Sequence, residues 1–121
     1  MEVNLYHSTE EIGQTLWNSL CGTDYPFIRY DFLHALGTAC TRSDDEDSES
    51  NGAACSRKWG WQPYHAIVFE LSSGRQQAVA AVPMYLKYHS DGEYIFDWAW
   101  ADAFHRNGLN YYPKLLAAIP Y

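Results

Sequence analysis

Aromatic rings and carboxylates alternate with unusual density between Glu93 and Asp102. Taken as a β-strand from Glu93 to Trp100, this run sends successive side chains to opposite faces. The ring-bearing face would comprise Tyr94, Phe96, Trp98 and Trp100. The other face would carry Glu93 and Asp97, which lie about 13 Å apart if the strand is extended. The sequence therefore predicts a strand whose aromatic face is covered by a helix and whose carboxylates are too distant to share one proton.

The first third of the chain predicts one strand followed by two helices. Residues 3–6 alternate as a short strand does. Ser8 and Glu11 form a capping box for a helix over residues 9–20. Apolar residues at helical spacing predict a second short helix around residues 32–36.

The second half predicts antiparallel strands. A strand over residues 65–71 is followed by a Ser-Ser-Gly turn and a longer strand over residues 77–88. The longer strand is nearly all apolar, which is typical of burial on both faces, although Pro83 marks an edge or a bulge. A turn at 90–92 leads into the aromatic run, a brief helix is expected over residues 101–107, and a last strand over 115–119. The expected class is α/β (α+β), with two N-terminal helices and a mixed, mostly antiparallel sheet.

Residues 41–58 separate these two parts and predict an acidic, flexible surface insertion, because Ser, Asp, Glu and Gly dominate and no apolar period survives. The chain has 121 residues, which is one domain by length, and a net charge of −7. Five acidic residues lie at positions 44–49, so the remainder carries only −2. This acidity argues against DNA or an anionic membrane as the main partner.

The cysteines and the N-terminus indicate a reducing compartment. Cys21, Cys40 and Cys55 have irregular spacing, which fits neither a disulfide framework nor a zinc site. The first residues lack the basic and apolar regions of a secretory signal, and the longest apolar run is too short to span a bilayer. Histidine spacing gives no metal site either. We therefore expect a cytoplasmic protein without a metal and without a membrane span.

Asp97 and His89 are the candidate catalytic residues. A carboxylate between two aromatic residues in mid-strand is costly to bury unless it is paired, so Asp97 either bonds to nearby groups or opens into a cleft. His89 could meet Glu93 across the predicted turn and serve as a general base, or it could be a turn residue without a role. Glu93 itself is expected to be solvated or to stabilise the hairpin, and Asp102 fits a helix cap at least as well as a catalytic base.

Five further residues are candidate ligand contacts. Tyr111, Tyr112 and Lys114 could cradle an anionic or sugar-like ligand, or they could form the edge of a core with a snorkelling lysine. Trp98 and Trp100 belong to the predicted aromatic face, part of which could border a polar groove.

Four runs carry a family resemblance: WGWQP at 59–63, PMYLKYHS at 83–90, GEYIFDWAWADA at 92–103 and YYPKLL at 111–116. They resemble the N-acyltransferases related to the FemAB proteins, which are associated with peptidoglycan biosynthesis or recognition. The resemblance covers nearly the whole chain except the acidic insertion. It implies a GNAT-like fold, of which residues 1–121 would be the N-terminal part, in a fragment of a longer protein.

The resemblance also implies transfer of an acyl or aminoacyl group to a small-molecule or peptide amine. GNAT enzymes hold acetyl-CoA with an Arg/Gln-x-x-Gly-x-Gly/Ala loop at a helix N-terminus. The nearest run here, residues 105–110, fails at its first and last positions. FemAB-type proteins use aminoacyl-tRNA, so the donor is expected to be either acyl-CoA or aminoacyl-tRNA.

Two alternatives to an acyltransferase stay open. The chain could be a non-catalytic module that binds cell-wall peptide, sugar or another small ligand through an aromatic groove. It could also support a catalytic second half without contributing to the chemistry. A sheet with an open edge would in addition favour self-association.

Overall fold

The computed structural model of the protein describes residues 1–38, 61–91, 93 and 95–118. The elements in chain order are β1 (Glu2–Tyr6), α1 (Thr9–Ile12), α2 (Gln14–Cys21), a 3-10 turn (Pro26–Ile28), α3 (Tyr30–Thr38), β2 (Gln62–Pro63), β3 (His65–Ser72), β4 (Arg75–Val82), β5 (Tyr85–Lys87), α4 (Trp98–Arg106) and β6 (Lys114–Leu116). The described strands form two antiparallel three-stranded sheets, which confirms the expected mixed class. The acidic insertion at 41–58 lies outside the described residues, as do Cys40 and Cys55.

The predicted first helix is present but is divided at Gly13. The Ser8 hydroxyl accepts a hydrogen bond from the Glu11 backbone N–H at 3.3 Å, so α1 begins where the capping box indicated. Gly13 has φ 85°, a left-handed conformation that favours glycine, and α2 starts at the next residue. The expected second helix is confirmed as α3.

The first sheet has the order β1-β3-β4 and carries the main core on one face. Ile12, Trp17 and Leu33 from the three helices are buried against Ile67 of β3. Trp17 is fully buried and donates its indole N–H to the Ile28 carbonyl at 2.7 Å. Without this bond the buried N–H would have no hydrogen-bond partner. The helices therefore pack onto the sheet around a single indole.

The opposite face of this sheet is also apolar, yet it is partly exposed. The cross-strand register places Val3 beside Val68, and Val68 beside Ala80. Val3 is 57% exposed and Val82 is 36% exposed. The prediction that the strand through residues 77–88 is buried on both faces is therefore wrong, because the described helices cover only one face.

That predicted strand is also divided into two. Proline cannot donate to a strand ladder, and β4 ends at Val82, directly before Pro83. The chain then enters the second sheet as β5, which lies between β2 and β6. His65 links the two sheets, because its Nδ1 accepts the Met84 backbone N–H at 3.2 Å and its ring lies 5.3 Å from the rings of both Trp17 and Tyr85.

The predicted strand over residues 93–100 is wrong. Helix α4 begins at Trp98, with Asp97 at its N-cap position, and Tyr94 lies outside the described residues. Asp102 is therefore inside a helix, where it pairs with Arg106 at 2.6 Å, and it is not the predicted cap. Alternation of rings suggested a strand, but two alanines in the same run favour a helix. The predicted last strand is present as Lys114–Leu116 and is shorter than expected.

Replacing Trp17 by alanine should lower the free energy of unfolding by about 3–5 kcal/mol, because it leaves a cavity and an unpaired carbonyl. The matched control is Trp100→Ala, since Trp100 is 67% exposed; its effect should stay within about 0.5 kcal/mol. Urea denaturation of both variants measures the difference. Equal losses would contradict the assignment of Trp17 to the core.

The buried His65 should make the fold sensitive to acid. Burial lowers the pKa of His65 from 6.5 to about 4, so the unfolded chain binds more protons between those two values. The contribution of the neutral His65 to the free energy of unfolding should be fully present above pH 6.5. It should fall by roughly 3 kcal/mol as the pH drops towards 4. In His65→Gln, which keeps an acceptor for Met84, the pH slope in this window should be smaller. An unchanged slope would show that other groups cause it.

Candidate functional site

Two lysines face each other across the second sheet. Lys87 of β5 and Lys114 of β6 are cross-strand partners in the ladder. Like charges in that position repel, so the pair requires compensating carboxylates. Glu93 supplies one: its Oε1 lies 3.4 Å from Lys87 Nζ and its Oε2 lies 2.8 Å from Lys114 Nζ.

Asp97 supplies the second carboxylate. Lys114 Nζ donates to Asp97 Oδ2, and the Tyr112 hydroxyl donates to Asp97 Oδ1 at 2.5 Å. We call Lys87, Glu93, Asp97 and Lys114 the charge cluster. Its side chains are 0%, 8%, 12% and 15% exposed respectively. The charge cluster therefore contains two basic and two acidic side chains that are largely buried, and its formal net charge is zero.

The predicted separation of Glu93 from Asp97 is wrong for the same reason as the predicted strand. Both carboxylates contact a single ammonium, that of Lys114. Residues 95–97 are not part of a strand, and the helix begins at the residue after Asp97. An extended strand would hold the two carboxylates about 13 Å apart, whereas here the ammonium of one lysine bridges them.

The cluster fixes the protonation of its acidic and basic groups. Burial by itself raises the pKa of Asp97, but hydrogen bonds from Lys114 and Tyr112 outweigh it and hold that pKa well below its usual range. Burial likewise works to lower the pKa of Lys114, and the two carboxylates reverse this and raise it. For Lys87, burial prevails over Glu93 and the pKa is lowered. Asp97 is thus ionised and Lys114 protonated at neutral pH.

Aromatic rings enclose the cluster. Lys87 Nζ lies 4.3 Å from the centroid of Trp61, and Lys114 Nζ lies 6.0 Å from the centroids of Tyr111 and Tyr112, within the range of cation–π attraction. Burial and the Asp97 carboxylate raise the pKa of both tyrosines. Their hydroxyls therefore stay protonated and can act as hydrogen-bond donors.

Two buried polar atoms beside the cluster have no hydrogen-bond partner in the described part of the chain. They are Ser90 Oγ and Glu93 Oε1, although Glu93 Oε1 is ion-paired with the Lys87 ammonium at 3.4 Å. Ser90 is 1% exposed and lies near enough to Asp97 and Tyr112 to help lower the pKa of each. Unpartnered buried oxygens are rare and indicate room for a further donor.

The structure brings four of the predicted site residues together and leaves three apart. Asp97, Tyr111, Tyr112 and Lys114 meet around the cluster. His89 is half-buried, and its partner is Asp91 rather than the expected Glu93: its Nδ1 accepts the Asp91 backbone N–H at 3.2 Å.

Trp98 and Trp100 do not form the predicted common face. Two residues apart on a helix, their side chains point about 200° away from each other. Both are more than 60% exposed, and the Trp98 ring stacks on Phe96 at a centroid distance of 4.6 Å. The Phe96–Trp98 stack is an exposed aromatic surface, in place of the helix-covered strand face that the sequence predicted.

Lys87, Ser90 and the role of Glu93 were missed. Lys87 ends an otherwise apolar run and lies two residues after the buried Tyr85, on the same side of β5. That spacing was a usable signal, since it places a lysine where burial is expected. Glu93 was expected to be solvated because it follows a turn, and nothing local to it indicated two lysine partners.

A model of the FemAB-like family, described as peptidoglycan biosynthesis/recognition, matches residues 8–121. The chain belongs to the FemAB-like family. The match includes every residue of the charge cluster, and the family description supports a role connected with the cell wall. No curated protein and no solved structure matches the chain.

The described residues of this FemAB-like chain contain neither a candidate membrane-spanning helix nor a candidate metal-binding group. None of the helices there has the length and apolar character needed to cross a membrane. Nor does that part of the chain hold three or more His, Cys, Asp or Glu side chains grouped as a metal site would require.

Lys87→Met should destabilise the fold by about 3 kcal/mol, because it leaves Glu93 buried with one cation fewer. Adding Glu93→Gln should recover part of this loss, since the uncompensated charge disappears. Arg106→Met is the matched control for an exposed ion pair and should cost at most about 1 kcal/mol. Thermal unfolding of the three variants tests this; a Lys87→Met loss no larger than the Arg106→Met loss would contradict it.

Proposed function

We propose that the chain contributes to an N-acyltransferase that moves an acyl or aminoacyl group to an amine during cell-wall synthesis. Membership of the FemAB-like family supports the cell-wall setting. The observation that carries the proposal is the contact of Asp97 with both Tyr112 and Lys114. It combines an ionised carboxylate with a protonated phenol at a nearly dry location.

Acyl transfer to an amine needs donors for the oxyanion of the tetrahedral intermediate and an acceptor for the proton that the amine loses. The single O–H of Tyr112 is already donated to Asp97. Lys114 would serve as the donor, because its ammonium has three N–H groups, of which Glu93 and Asp97 accept two. The same ammonium would add positive charge next to the developing oxyanion. Such fixed donors are worth most where water is excluded.

Asp97 would orient these groups rather than remove the proton. A general base works best with a pKa near the operating pH, and Lys114 and Tyr112 hold the pKa of Asp97 far below that. Its carboxylate instead fixes the Tyr112 hydroxyl in one direction. The low pKa of Asp97 therefore favours an orienting role for this carboxylate over the role of a general base.

His89 is the candidate proton acceptor, since imidazole is the commonest general base. The ring is 39% exposed, and its Nδ1 is occupied by the Asp91 N–H. Its Nε2 would therefore be the atom that takes the proton from the amine.

The acyl donor would be acyl-CoA or aminoacyl-tRNA, and the acceptor a small-molecule or peptide amine in the cytoplasm. Trp98 and Trp100 would contact one of the two substrates. An aminoacyl-tRNA donor fits the family resemblance, whereas the net charge of −7 would repel the polyanionic backbone of tRNA more strongly than the few phosphates of acyl-CoA.

A second candidate function is non-catalytic binding of cell-wall peptide or sugar. The exposed Phe96–Trp98 stack favours it, because flat exposed rings offer apolar faces to such ligands. Tryptophan fluorescence separates the two functions. Quenching by acyl-CoA supports the enzyme, and quenching by a muropeptide alone supports the binding module.

Mass spectrometry of products formed from isotope-labelled acyl-CoA or aminoacyl-tRNA and a pool of amines tests the proposed reaction directly. A labelled amide identifies the donor and the acceptor together. Folded protein that yields no product with either donor would overturn the transferase proposal and leave the binding function.

Asp97→Asn should reduce the turnover of that reaction at least about tenfold, because the neutral amide no longer holds both Lys114 and Tyr112 in place. The matched control is Asp102→Asn, which removes an exposed carboxylate of α4 and should leave turnover unchanged. Rates are compared per folded molecule, since Asp97 is buried. Equal turnover of the two variants would remove Asp97 from the mechanism.

A further inference from the structure

The Lys114 ammonium lies in surroundings that would suit any primary ammonium. It contacts a carboxylate oxygen of Glu93 and one of Asp97, and two tyrosine rings lie 6.0 Å away. An ammonium offers three N–H donors and a compact charge. Carboxylates accept those donors, and ring faces attract the charge.

The remaining groups of the cluster have the charge and the acceptors for one such ligand. Without Lys114, the cluster would hold Lys87 against two carboxylates, a net charge of −1. Ser90 Oγ and Glu93 Oε1 are buried and have no hydrogen-bond partner in the part of the chain that the structure describes. Ser90 Oγ can accept an N–H donor that Lys114 does not supply, whereas Glu93 Oε1 already faces the Lys87 ammonium at 3.4 Å.

We propose that Glu93, Asp97, Ser90 and the two tyrosine rings form a binding site for a primary ammonium, which Lys114 occupies until a ligand amine displaces it. This inference rests on the proposed function, because the ligand would be the acceptor amine before it loses its proton. It goes further by assigning the class of ligand, primary alkylammonium, and by giving Lys114 the role of an internal competitor.

The two lysines differ in their freedom to leave. Lys87 is fully buried, and its Nζ also donates to the Asp91 carbonyl at 2.8 Å. Lys114 is 15% exposed at the side of the cluster that its two tyrosines flank, on a short strand. Its flexible stem can carry the ammonium into water, where the cost of desolvation is recovered. Displacement therefore exchanges one ammonium for another while Lys87 stays in place, and Lys114 returns to the two carboxylates once the bound amine has lost its proton.

The test uses the full chain with Lys114→Ala and n-propylammonium, the fragment that the substitution removes from the lysine side chain. Calorimetric titration should show saturable binding to the variant at least about tenfold tighter than to the unsubstituted protein, where Lys114 competes. The neutral isostere 1-propanol should not bind. Adding Glu93→Gln to the variant should weaken binding of n-propylammonium by a similar factor.

Equal affinity of the two proteins for n-propylammonium, or an equal response to 1-propanol, would overturn the inference. If Lys114→Ala unfolds, n-propylammonium must restore its thermal transition in a saturable way, because a ligand that binds only the folded state stabilises it. Failure to restore it counts against the site in the same way.

The outcome is separable from that of the proposed function, because no acyl donor is present. Binding of n-propylammonium without acyl transfer in the product assay would keep the site and remove the transferase. Acyl transfer without such binding would keep the transferase and remove Lys114 as competitor.

Discussion

The opposition of Lys87 and Lys114 across the second sheet is the constraint on which the C-terminal half depends. Two ammonium groups on adjacent strands repel unless anions lie between them. Glu93 forms ion pairs with both lysines, and Asp97 forms one with Lys114. Helix α4 then begins at the residue that follows Asp97.

The same cluster determines which side chains face solvent. Because Asp97 is held inside at the N-cap position, Trp98 and Trp100 follow on the first turn of the helix and remain exposed. Because Lys114 is held inside, Tyr112 and Tyr111 precede it at the edge of the cluster, where they stay protonated. The ring surface and the charge cluster are thus two consequences of one set of ion pairs.

The periodicity of apolar residues was enough to predict the helices of the N-terminal half. It gave the wrong element at residues 93–100, where ion pairs with distant lysines hold Glu93 and Asp97. Capping by Ser8 and apolar residues at helical spacing indicated the helices, since these signals are local. The break at Pro83 also had a local signal. Glu93 and Asp97 pair with lysines that lie in other segments, so alternation of rings predicted a strand where helix α4 begins. Asp97, Tyr112 and Lys114 could be selected from the sequence, but the pairing of Glu93 with both Lys87 and Lys114 could not.

Stability alone is a weak reason for a protein to bury four charges. Packed apolar residues of similar volume often stabilise a fold as well as a buried ion pair does or better. Ser90 Oγ is also buried beside the cluster without a hydrogen-bond partner in the described residues, which adds a further cost. Groups that are costly to the fold are commonly found at functional sites, where their charges act on a ligand. The Glu93 and Asp97 carboxylates fit recognition of an amine, the Lys114 ammonium fits stabilisation of an oxyanion, and apolar packing could provide neither.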